Sequence, residues 1–62
     1  MCLSTVYKEN SEDFLLRNIA RVQNRGNEIV FTDILGRQTV IKGIITDIDL
    51  TENIIKVREK EL

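Results

Sequence analysis

Apolar and polar residues alternate along most of the chain, and short polar clusters interrupt the alternation. Cys2 to Lys8 reads as a first strand, with Leu3, Thr5 and Tyr7 on one face and Cys2, Ser4 and Val6 on the other. Glu9-Asn10-Ser11-Glu12 is a polar turn. From Asp13 to Asn24 the apolar positions Phe14, Leu15, Leu16, Ile19, Ala20 and Val22 suit a helical face as well as strands. This stretch is read as two short extended pieces with a bend near Arg17-Asn18, followed by a hairpin turn at Arg25-Gly26-Asn27.

Glu28 to Ile34 is predicted as a strand with Ile29 and Phe31 on one side, and Gly36 as the positive-φ residue of the next turn. Gln38 to Asp49 is a long strand whose isoleucines do not keep a single period of two. Gly43 stands where a bulge or sharp bend would re-aim the side chains. Leu50-Thr51-Glu52-Asn53 turns the chain, and Ile54 to Glu59 closes it with Ile55 and Val57 facing inward. Lys60-Glu61-Leu62 is expected to fray.

Composition supports an all-β fold. Nineteen residues are Val, Ile or Thr, against one Ala. Branched side chains lose rotamer freedom in helices and pack well on a pleated surface. Sixty-two residues form one domain, 1–62, and five to six short antiparallel strands at that length suggest a small β-barrel, SH3-like or OB-like. Closure hides strand edges, which so short an all-β chain must manage. A chain this small buries only about 60% of its unfolded surface, so self-association into a homodimer is an expected support.

The charge is nearly balanced, with nine Lys+Arg against ten Asp+Glu. The cations are interleaved with carboxylates, so charge gives no support to RNA binding, which relies on phosphate neutralisation. No apolar run approaches a membrane span, and no positively charged leader followed by an apolar stretch is visible. With one cysteine and no such leader, a reducing cytoplasm is the expected compartment.

Zero histidines exclude zinc fingers, Ser-His-Asp triads and HExxH metalloproteases. No base accompanies the thiol, so an enzyme is not expected. The chemistry concentrates on Cys2. If Met1 is removed, Cys2 offers an α-amine and a thiolate that close a five-membered chelate ring, and the Leu3 backbone nitrogen can join as a third donor. Nitrogen and thiolate donors in a flat arrangement suit Ni(II) or Cu(II) better than tetrahedral Zn(II). One chain supplies few donors, whereas two N-termini together would complete four-coordination. The plainer alternative is a cysteine that acts as a small apolar residue.

Other candidates have ordinary explanations. Asp47, Asp49 and Glu52 could face a hard cation, but they lack an oxygen-rich loop pattern and read as solvated strand ends. Gly26 and Gly36 are too isolated for a phosphate loop. Arg17, Arg21 and Arg25 are expected to face solvent. Phe31 is assigned to the core, Phe14 to the core or an interface, and Ile54 with Ile44 to an outward apolar patch.

The opening Met1-Cys2-Leu3-Ser4-Thr5-Val6-Tyr7 resembles the start of the CooT family of small nickel-binding proteins. The similarity continues through Asn18-Ile19-Ala20-Arg21-Val22, the segment from Asn27 to Gly36, and Gly43-Ile44-Ile45-Thr46-Asp47-Ile48-Asp49-Leu50. Hydrogenase chaperones of the HypC type also begin Met-Cys and form small barrels, but they continue Ala-Ile-Pro-Gly, and this chain has no proline. The resemblance implies an SH3-like barrel that dimerises and binds Ni(II) through Cys2. It also implies a metallochaperone role in maturing a nickel enzyme such as carbon monoxide dehydrogenase. The alternative is a small RNA-binding or protein-interaction barrel with Cys2 incidental.

Overall fold

The computed structural model describes residues 3–60. They form five strands: β1 (Ser4–Lys8), β2 (Phe14–Arg25), β3 (Glu28–Asp33), β4 (Gln38–Asp49) and β5 (Ile54–Glu59). The strands close into a barrel in chain order, and no helix occurs among the described residues. Sequential neighbours pair antiparallel, while β1 and β5 pair in parallel. An odd number of up-and-down strands leaves the first and last running the same way, so the closing seam has to be parallel. The result is the small all-β barrel expected from the alternation, in keeping with the SH3-like barrel that the resemblance implies.

Val6, Ile19, Ile29, Phe31, Ile55 and Val57 form the core, and Leu16, Val22, Ile41 and Ile45 pack against it. Phe31 is fully enclosed, as its alternation with Ile29 implied. Phe14 is not a core residue of this chain, being half exposed at the start of β2.

The stretch read as two pieces is one strand of twelve residues with a bend built into it. Asn18 adopts φ +58°, a left-handed conformation that asparagine tolerates better than most residues. The pairing to β3 then slips by one residue between Ile19 and Arg21, leaving Ala20 as a bulge. This lets the N-terminal part of β2 pair with β1 and its C-terminal part pair with β3.

In β4 the bulge lies elsewhere than expected. The pairing to β5 slips between Ile45 and Asp47, at Thr46, whose hydroxyl donates to the Lys56 carbonyl (3.3 Å). Gly43 has a different job. It is buried, and a Cβ there would overlap the Arg58 carbonyl and come within 3.0 Å of the Glu59 Cα. Glycine is therefore required for β4 and β5 to approach at this point.

Gly43→Ala should lower stability by about 1–3 kcal/mol, because the obstruction is backbone and cannot rotate away. Urea denaturation followed by circular dichroism measures this; a loss below about 0.5 kcal/mol, the range of a neutral surface change, would contradict the account.

Candidate functional site

The site begins where β1 begins. Leu3 is half-buried and leads directly into the strand. Ser4 pairs with Ile19 of β2, and Ile19 pairs in turn with Asp33 of β3. On the other side Thr5 pairs with Ile54 of β5, and its N–H donates to the Asn53 carbonyl at 2.9 Å. The entrance to β1 therefore lies at the barrel end formed by the β3–β4 turn, the β4–β5 turn and the bend of β2.

Each of these parts is fixed by local hydrogen bonds. The Ile34 N–H donates to the Asn18 carbonyl at 3.0 Å, tying the β3–β4 turn to the bend. Asp33 Oδ1 accepts the N–H groups of Leu35 and Arg37, both at 2.9 Å, and Oδ2 accepts Arg37 Nε at 2.8 Å. Burial pushes the Asp33 pKa up, but these hydrogen bonds together outweigh it and hold the carboxyl below its ordinary value. Asp49 Oδ1 accepts the Thr51 hydroxyl at 2.6 Å and the N–H groups of Thr51 and Glu52 at 2.9 and 3.1 Å. The Thr51 hydroxyl contributes most to lowering the Asp49 pKa. That oxygen is occupied as a turn acceptor, so the hard-cation alternative for Asp47, Asp49 and Glu52 finds no support here. Asn53 completes the turn at φ +57°.

At the opposite end Arg58 grips Glu9 with two hydrogen bonds, Nε to Oε2 at 2.7 Å and Nη2 to Oε1 at 2.9 Å. This fork geometry lowers the Glu9 pKa and raises that of Arg58. The pair joins the end of β1 to β5 across forty-nine positions of sequence, a contact with no local signal.

Cys2, the residue on which the metal chemistry rests, lies outside the described residues, as does Met1. Among the described residues no group of three or more His, Cys, Asp or Glu could hold a metal ion. Arg17, Arg21 and Arg25 are all exposed along β2. The Arg17 guanidinium lies 5.6 Å from the centroid of the Phe14 ring, a cation–π arrangement at the surface. Ile44 is half exposed as expected, whereas Ile54 is only partly so.

These features define a class: a small closed barrel with tightly fastened turns, whose single thiol lies just before the first strand. The chain belongs to the CooT family: a model of that family, described as CO dehydrogenase accessory protein CooT, matches residues 1–58. The protein is thus an accessory protein and not itself an enzyme. No curated protein is similar enough to this chain to count as a match. No helix among the described residues is long and apolar enough to cross a membrane.

The lowered pKa values set a pH dependence. Glu9, Asp33 and Asp49 release their protons more readily folded than unfolded. Their contribution to stability is therefore complete above the unfolded carboxylate range, about pH 5, and is lost as pH falls through the depressed folded values, below about pH 4. The urea midpoint should drop between pH 7 and pH 3, and Glu9→Gln should reduce that drop. A midpoint that does not change over this range would contradict the assignment.

Proposed function

We propose that this accessory protein carries Ni(II) to a CO dehydrogenase, holding the ion at Cys2 in a homodimer within the cytoplasm. The observation that carries the proposal is the family match beginning at residue 1, together with a single thiol at position 2. With Met1 removed, the Cys2 thiolate and α-amine bind as a five-membered chelate, and the Leu3 amide nitrogen adds a third donor on deprotonation. Soft thiolate and nitrogen donors match the preference of Ni(II) for tetragonal surroundings.

At the head of β1, Ser4 pairs with Ile19 and Thr5 with Ile54 and the Asn53 carbonyl. None of these three partners carries an imidazole, thiol or carboxylate, the Asn53 carbonyl is engaged by Thr5, and the Asp33 and Asp49 carboxylates of the bordering turns accept hydrogen bonds within those turns. Further strong donors would then come from a second copy, which supplies another thiolate and amine. A donor set of this kind also suits delivery. Thiols and amines compete with protons near neutral pH, and an ion held by groups at a chain end can be passed on by ligand exchange.

Tag-free protein with Met1 removed, as verified by intact mass, should bind Ni(II) and develop thiolate-to-nickel charge-transfer absorption. Cys2→Ser should lose that absorption and bind at least about tenfold more weakly, a change on the order of 1.4 kcal/mol. Retaining Met1 should weaken binding as well, because the amine–thiolate ring is lost. Equal affinity and equal spectra for Cys2→Ser would overturn the proposal. Affinity should also fall as pH drops from 8 to 6, since both donors must lose protons; binding that is independent of pH over that range would argue against them.

A further inference from the structure

The outer face of the sheet formed by the second half of β2, β3 and the first half of β4 has a charge distribution that metal binding does not explain. The register defines three outward rows across these strands: Arg21–Thr32–Gln38, Gln23–Val30–Val40 and Arg25–Glu28–Lys42. The intervening rows, Val22–Phe31–Thr39 and Asn24–Ile29–Ile41, include the core residues Phe31 and Ile29. The outward face thus carries Arg21, Arg25 and Lys42 at its corners against one carboxylate, Glu28. All of β2 contains three arginines and no acidic residue, in a chain whose net charge is −1. Neither ion pair of the described residues uses any of the three β2 arginines. Lys60 adds a further cation at the lower corner, where its N–H donates to the Lys42 carbonyl at 2.8 Å.

The central row presents Val40, 53% exposed, as its apolar spot, beside the nearly buried Val30 and the half-buried Gln23. Thr32 Oγ1 is buried in the row above it with no hydrogen-bond partner among the described residues. An apolar centre with a charged rim is the layout of a protein–protein contact. We infer that this face docks a protein partner presenting carboxylates around an apolar residue. Guanidinium groups pair with carboxylates in a planar, two-bond geometry, and lysine adds a point charge. A nucleic acid fits less well, because the face has no aromatic side chain on which a base could stack and Glu28 would repel phosphates.

The inference rests on the accessory role, which requires a docking partner, and its test is independent of nickel. The probe is a short synthetic peptide of alternating glutamate and valine, titrated into isotopically labelled protein and followed by amide chemical shifts. Shifts should concentrate at residues 21–42 and weaken with added salt. Arg21→Gln/Arg25→Gln/Lys42→Gln should bind the peptide about tenfold more weakly while keeping its dispersed amide spectrum and the Ni(II) affinity of the parent. The single change Arg21→Gln should show a smaller loss in the same direction. Absent shifts, shifts centred elsewhere, or equal binding by the triple variant would overturn the inference. So would tighter binding of a uridine oligomer than of the peptide. Self-association that the triple variant abolishes would assign the face to a second copy and would also overturn it. Failure of Ni(II) binding with the peptide result intact would instead count against the nickel proposal alone.

Discussion

Everything in this fold depends on the parallel seam between β1 and β5. No helix or second sheet covers the strands among the described residues, so the sheet supplies its own interior by closing on itself. Val6 on β1 and Val57 on β5 are both fully enclosed at the seam, with Ile55 beside them. Closure demands that the two long strands curve, and each has a device for it. In β2 this is the left-handed Asn18 followed by the Ala20 bulge; in β4 it is the bulge at Thr46. Without those bends the first half of β2 could not pair with β1 while its second half pairs with β3.

The seam also sets the conditions at the end of the barrel where β1 begins. β1 is only five residues long, yet it is bound on both sides, by β2 and by β5. The turns bordering its entrance are fastened by Asp33 and Asp49, each with one carboxylate oxygen accepting two or more donors. The strand into which Cys2 leads by sequence is thus paired along both edges. A strand fastened in this way fits the carrier role proposed above, in which ligand exchange involves the terminal donors.

Much of this was legible in the sequence, for a physical reason: alternation is a direct record of which strand face meets the core. Ile29 with Phe31 and Ile55 with Val57 were readable in that way, as were the turns at Gly26 and Gly36, both of which have positive φ. The bends were harder to assign. Thr46 carries no turn signal, being a good strand residue whose bulge is set by pairing to β5. Gly43 attracted the bulge assignment because glycine marks both bulges and close approaches, and only the position of Arg58 distinguishes the two. Phe14, assigned to the core or an interface, is half exposed at the start of β2 and so is not part of the core. The Glu9–Arg58 pair was invisible because it depends wholly on the seam. The candidate metal site at Cys2 rests on donor chemistry and family resemblance and lies outside the described residues, whereas the family membership carries the accessory role.

Nickel K-edge X-ray absorption on the loaded, tag-free protein tests the central claim most directly, because it reports the ligand atoms themselves. The expected spectrum is that of a planar four-coordinate ion with sulfur and nitrogen neighbours, the sulfur contribution disappearing in Cys2→Ser. A six-coordinate shell of oxygen and nitrogen alone, unchanged by that substitution, would contradict it.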